Sequence, residues 1–197
     1  MKPRVASEIM QLLAILDQAY NKPSWHGTNL RGSIRRVTPA QAAWRPGTGR
    51  HNIWEIVVHA AYWKYAAARR FTGGARGSFP MKGSNWFPRP LESGSSIEKA
   101  WKGRLRSLDL NRASAWQADR DLLDDMHDAL RAAVVALAAK DLSRTPPGKK
   151  VSNFALLSGV AAHDLYHAGQ IQLLKRLAVL PPARKASADH RRLGGGS

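Results

Sequence analysis

His163-Asp164-Leu165-Tyr166-His167-Ala168-Gly169-Gln170 is the stretch on which the reading of this chain turns, because polar residues recur in it where a core-facing helix should be apolar. Around it, Leu156, Val160, His163, His167, Gln170, Leu174 and Leu177 step by four and three, the spacing of one stripe of an amphipathic helix. Two imidazoles and an amide thus fall in the middle of an inward seam. Histidines at i and i+4 lie one turn apart on the same face, so both can aim a ring nitrogen at one ion at ~2.0–2.1 Å. A third ligand from another helix would complete a site with room for water or substrate. A bare HxxxH also occurs as a satisfied pair of core histidines, so the spacing alone leaves both readings open.

Composition bounds the rest. A chain of 197 residues, 44% hydrophobic with seven Trp, can bury a core and suits one domain with excursions. No uninterrupted apolar run is long enough for a signal peptide or a membrane span, which points to a soluble, cytoplasmic protein. There is no cysteine, so disulfides, thiolate ligands and a cysteine nucleophile are excluded. Any thiol chemistry would need its thiol from outside. The 31 Lys and Arg against 14 Asp and Glu leave a formal charge of +17. Such an excess favours salt-sensitive attraction to nucleic acid, acidic lipid surfaces or anionic small molecules. Part of it lies in the tail, at Arg184, Lys185, Arg191 and Arg192. No basic run is interleaved with aromatics as a single-strand binder would need, so a solvated basic surface is the plainer reading.

Taken in order, the chain reads as helices. Val5, Ile9, Leu12, Leu13, Leu16 and Tyr20 make a first amphipathic helix, stopped before Pro23. Ser24-Trp25-His26-Gly27 is a turn, and the segment from Leu30 to Val37 is a candidate for helix again. Thr38-Pro39-Ala40-Gln41 combines a cap residue, proline at the first helical position and a capping-box Gln, and would deliver Trp44 to the core. Pro46-Gly47-Thr48-Gly49 is a loop. Asn52-Ile53-Trp54-Glu55 opens the second long helix by the same logic, and Gly73-Gly74 ends it.

On that second helix Ile56, His59, Trp63 and Ala66 share a stripe, which turns His59 inward and offers a third ligand for His163 and His167. Glu55 stands one turn earlier, but its capping role with Asn52 explains it better than ligation. His51 is two turns from His59, ~12 Å at ~1.5 Å per residue, too far to share one ion.

From Gly73 to Ala113 the pattern breaks down. Gly, Pro and Ser dominate up to Ser96, around Asn85-Trp86-Phe87-Pro88-Arg89-Pro90, before Ser95-Ser96-Ile97-Glu98 caps a short basic helix with Trp101. A connection this long is a lid, a partner surface or simply mobile. Ser114-Ala115-Trp116-Gln117 starts a third long helix in which Trp116, Leu123, Leu130 and Leu137 repeat every seven. His127 flanks that seam, as a core histidine bonded to a neighbouring carbonyl or as a partner of the metal ligands. Thr145-Pro146-Pro147-Gly148 closes the helix, Ser152 caps the fourth, and Pro181-Pro182 ends it. Residues 181–197 read as a disordered basic tail, and Gly194-Gly195-Gly196-Ser197 has the composition of a linker left by cloning.

Four amphipathic helices, over 5–20, 53–72, 115–139 and 153–178, predict an all-α, four-helix bundle spanning 1–180, with the excursion at about 74–113 between the second and third. Metal sites in such bundles are built in the core from facing helices, and three neutral nitrogen ligands with an open position describe a catalytic centre rather than a closed structural one. Imidazole ligation suits Zn, Ni or Fe alike.

Trp25-His26-Gly27, Ala43-Trp44-Arg45-Pro46, His51-Asn52-Ile53-Trp54-Glu55 with His59, Asn85-Trp86-Phe87-Pro88 and His163 through Ile171 together resemble the DinB superfamily, the DinB/YfiT-like bacterial metal enzymes, over most of residues 5–178. The resemblance implies a four-helix bundle, often a homodimer, with a divalent metal held by His59, His163 and His167, the three positions that the helical stripes select. It further implies a low-molecular-weight thiol such as bacillithiol or mycothiol as co-substrate, in an S-transferase or isomerase acting on a small molecule. A metal-bound water would instead give a hydrolase. Gln170, one turn beyond His167, would orient a ligand or a bound water, or else be a buried amide bonded to a neighbouring helix. Asp164 and Tyr166 point away from the histidine stripe, toward neighbouring helices or a partner subunit. The long excursion and the strong positive charge depart from ordinary members. They keep open an alternative, a non-catalytic, metal-stabilised stress protein that binds nucleic acid or another acidic partner through its basic surface.

Overall fold

Short polar residues start several helices of this chain, though not α1 (Ser7–Tyr20), whose cap is Ala6. Thr38 accepts a hydrogen bond from the Gln41 backbone, while the Gln41 side chain accepts from the Thr38 N–H at 3.0 Å. Asn52 and Glu55 repeat the exchange. Each such cap satisfies amides that the first turn leaves without partners, worth about 1 kcal/mol. Ser152 likewise accepts from the Ala155 N–H, at 3.1 Å.

The computed structural model describes residues 6–75, 77–90 and 112–179. Four long helices result: α1 (Ser7–Tyr20), α4 (Ile53–Thr72), α5 (Arg112–Val135) and α6 (Asn153–Val179). Short helices α2 (Leu30–Ser33) and α3 (Pro39–Ala43) connect α1 to α4, and a 3-10 turn at Ala139–Asp141 lies between α5 and α6. There is no strand among the described residues, so the chain is all-α as the periodicity predicts. No helix among them is long and apolar enough to cross a membrane. The expected helix from Ser95 with Trp101 and the tail 181–197 lie outside the described residues.

The helix expected from Leu30 to Val37 stops at Ser33, and both ends of the third long helix differ from expectation as well. Ser114 does not cap α5, since the helix already includes Arg112. At the other end α5 stops at Val135, and Leu137 sits in a turn with its N–H bonded to the Val134 carbonyl. The heptad Trp116, Leu123, Leu130 is buried as read, but its fourth member is off the helix. Gly73 ends α4 with φ +68, a left-handed conformation that glycine adopts at little cost, and its N–H caps the Arg69 carbonyl.

α4 packs on α5 and α6, and α1 packs on α6 and α5. The core they enclose has two apolar halves. One gathers Leu30, Ile34, Trp54, Val57, Trp116, Leu123 and Ile171; the other gathers Ile9, Leu16, Leu130, Val134, Leu157 and Val160. Each large apolar side chain buried this fully contributes roughly 1.5–3 kcal/mol. Between the halves every long helix supplies a polar residue: Asp17 and Tyr20 from α1, Lys64 from α4, His127 from α5 and Asp164 from α6.

That layer explains why α6 is rotated from its sequence reading. The buried seam runs through Leu157, Val160, Ala161, Asp164, Ala168 and Ile171, so Leu156 is only partly buried and Leu177 is exposed. Asp164 occupies the centre because it meets Lys64 in an ion pair on which neither side chain is more than 1% exposed. Hydropathy alone places both outside. His163 therefore lies on the flank of the core rather than in its middle.

The described half of the excursion is a packed strap. Phe79, Met81 and Phe87 are buried, with Phe79 and Phe87 against Tyr62 of α4. Asn52 donates to the Arg89 carbonyl at 2.6 Å, and Arg89 pairs with Asp119 of α5 at 2.7 Å. These ties bring Asn85 and Trp86 over the middle of α4.

Candidate metal centre

His59 of α4 faces the HxxxH of α6, and all three rings meet edge to edge. The His163 Nε2 lies 3.0 Å from the Nε2 of His59 and 3.0 Å from the Nε2 of His167. Two of the three Nδ1 atoms are occupied. His59 Nδ1 donates to the Asn85 carbonyl at 2.8 Å, and His167 Nδ1 donates to Gln170 Oε1 at 2.7 Å. Gln170 is itself fixed, since its amide nitrogen donates to the Tyr166 hydroxyl at 2.9 Å. A neutral imidazole carries one N–H, so these bonds leave the Nε2 of His59 and of His167 as lone pairs. Both lone pairs face the Nε2 of His163.

The one N–H of a neutral His163 can sit on Nε2 and donate to one of these lone pairs, and a second proton on any ring is disfavoured. Burial first, then the neighbouring imidazoles, push His163 down to about 3. Burial likewise pushes His167 down to about 4, although the bond to Gln170 acts the other way. Burial also lowers His59 despite the Asn85 carbonyl. All three are thus neutral at pH 7, the state that metal ligation requires. Two nitrogens bound to one ion at ~2.0–2.1 Å stand about 3.0–3.4 Å apart, which the observed separations nearly match. The group could hold one ion.

Local sequence makes the arrangement. Asn85 adopts φ +66, a left-handed conformation that asparagine tolerates better than most residues. From there its carbonyl takes the His59 N–H and its side chain accepts the Trp63 indole N–H at 3.0 Å. Trp86, the next residue, stacks on His59, with ring centroids 3.8 Å apart. Its other face carries His51, at 3.6 Å and 5°. An indole therefore fills the gap that keeps His51 from the trio.

Glu55 takes no part in the trio. It caps α4, receives both Arg45 nitrogens at 2.5 and 2.8 Å, and accepts from His51 at 3.0 Å. Burial pushes its carboxyl up, but the bonds from Arg45 and His51 outweigh that and hold it below the ordinary carboxylate range.

Beside the trio opens a cleft of about 400 Å³, lined by His167, Gln170, Tyr166 and apolar groups including Ile56, Trp86 and Leu174. Tyr166 is exposed and reaches Gln170, whereas Asp164 turns into the core; the two residues set aside from the histidine stripe have different fates. His127 is buried as expected, but its partners are Asp17 at 3.3 Å and the Tyr20 ring at 3.9 Å rather than a carbonyl.

Sequence reasoning singled out Asn85 and Trp86 within a motif but gave them no role at the site, and it did not find Lys64. The first two come from the excursion, and nothing local signals a contact across 26 residues. Residues 24–171, which contain the trio, the strap and all of the cleft lining but Leu173 and Leu174, match the family model of the DinB superfamily. No curated protein and no solved structure matches the chain.

Proposed function

The chain belongs to the DinB superfamily, and on that premise we propose that His59, His163 and His167 hold one divalent transition metal, nickel, zinc or iron, in an enzyme that activates a small thiol or a water. The observation that carries this reading is the meeting of two fixed lone pairs on a third imidazole. A cation would engage all three nitrogens at once, whereas the single N–H that His163 can carry on Nε2 has to be shared between two acceptors. Bound there, it would act as a Lewis acid that lowers the pKa of a coordinated thiol or water.

The chain's own residues have separable tasks. Asn85 and Gln170 fix the rings of His59 and His167, so that Gln170 is a positioning residue reaching the site through His167. Trp86, Ile56 and Leu174 wall the cleft against bulk water. The thiol comes from outside, since the chain has no cysteine. The product expected of thiol activation is a thioether formed with an electrophile bound in the cleft. Incubating metal-loaded protein with bacillithiol, mycothiol or glutathione and an aryl halide tests this. Thiol consumption that vanishes in His163→Ala supports the reading, and none with any thiol or ester substrate contradicts it.

The net charge of +17 supports a second reading, a non-catalytic protein that binds nucleic acid. In that case affinity for duplex DNA falls steeply with salt and survives His163→Ala. Salt-independent or absent binding removes it.

A further inference from the structure

The cleft beside the histidines carries a cation that the metal centre does not need. Arg50 lines it, together with the apolar walls Ile56, Trp86, Leu173 and Leu174. Among the described residues the Arg50 guanidinium has no hydrogen bond or ion pair. Glu55, the nearest acid in sequence, is saturated by Arg45, His51 and two backbone amides, and is not free to neutralise it.

The backbone under Arg50 is held in place. Arg45 donates to the Arg50 carbonyl at 2.7 Å while its guanidinium grips Glu55 at the start of α4. The Arg50 N–H closes a turn on the Gly47 carbonyl at 3.2 Å, and Gly49 adopts φ +70 within it. A side chain other than glycine is disfavoured at Gly49, so the turn is shaped to place Arg50. Its unpaired guanidinium lines a mainly apolar cleft that His167 lines as well.

We propose that the cleft binds a small amphiphilic carboxylate, with the carboxylate on Arg50, the apolar body against Trp86, Ile56, Leu173 and Leu174, and the far end at His167. A guanidinium meets a carboxylate with two parallel N–H donors, and the pair is stronger where apolar walls limit water. The +17 charge of the chain draws anions generally, but among the described residues only Arg50 combines a free fork with this cleft. The orientation rests on the metal-centre reading, since the reactive end is the one that reaches the histidines; the charge selectivity does not.

The test compares 4-phenylbutyrate with its uncharged amide, 4-phenylbutyramide, by calorimetry on the full chain at about 0.15 M salt, where general attraction is screened. The carboxylate is expected to bind wild type about tenfold or more tighter than the amide. Arg50→Gln should erase that preference. Arg35→Gln, an exposed arginine outside the cleft lining, should keep it. No preference in wild type, no binding of either probe, or equal loss in both variants overturns the proposal. Zinc-loaded and metal-free protein are titrated side by side with their metal content measured. A carboxylate preference in a chain that takes up no metal sinks the metal centre and leaves the Arg50 site standing. Metal uptake without the preference does the reverse.

Discussion

Two groups of buried polar side chains lie between α4 and α6, and they are satisfied on opposite terms. In the layer that divides the core, Lys64 pairs with Asp164, lies over the Tyr20 ring at 4.5 Å and approaches His127 Nδ1 at 3.5 Å. His127 in turn donates to Asp17, which Arg131 clamps at 2.6 and 2.9 Å. Every charge there meets its opposite, and the one buried oxygen left without a partner is Asp164 Oδ1. In the histidine trio no charge is present, and at most one N–H, on His163 Nε2, faces two lone pairs. The contrast teaches that burial of a polar residue does not mark a site. A site is marked by a set of buried donors or acceptors that the fold fixes and does not satisfy.

The strongest way to break this contrast is to unpair the layer. Lys64→Met leaves Asp164 buried without its counter-ion and should cost about 3–5 kcal/mol in denaturant unfolding, while Lys64→Met/Asp164→Leu should recover most of it. In metal-free protein His163→Ala should cost about 1 kcal/mol, because it removes a half-buried imidazole with one shared hydrogen bond and no ion pair. Equal costs in the two places would erase the distinction. Next in size is the effect of metal. At a hundredfold excess over its dissociation constant, the ion should stabilise wild type by about 2.7 kcal/mol and leave His59→Ala/His163→Ala unmoved, read as a shift in Tm. Gln170→Leu should then weaken metal about 10–100-fold in a chelator competition, with the fold intact, if Gln170 acts by fixing His167.

A separate lever is the pH dependence of metal-free stability. His163 and His167 titrate in the folded chain at about 3 and about 4, below the ordinary histidine value of 6.5. Between those limits the unfolded chain binds more protons, so stability rises with pH and is lost as pH falls from 6.5 toward 4. Unfolding curves across that window should flatten in His163→Ala/His167→Ala. An unchanged slope would mean that the rings are not held neutral.

Legibility in sequence followed the range of the physics. Thr38–Gln41 and Asn52–Glu55 could be read because a capping box is completed within four residues. His59, His163 and His167 were legible because helical spacing carries a side chain to a face. The stripe on α6 nevertheless came out one position off, since Asp164 and Lys64 look like surface residues until they are placed together. On α4 the same reading turned Trp63 inward with His59, yet Trp63 is 41% exposed and instead holds Asn85. Ser114 imitates a cap inside a helix that had already begun. Trp86 and Asn85 were beyond reach, because their contacts depend on how a long connection folds back.

Metal content is the most direct test. On protein purified without a histidine tag, wild type should carry about one equivalent of nickel, zinc or iron, and His59→Ala/His163→Ala should carry none. No stoichiometric metal in wild type, even after reconstitution with each ion in turn, would contradict the account: the three imidazoles would then be core histidines satisfied by hydrogen bonds among themselves.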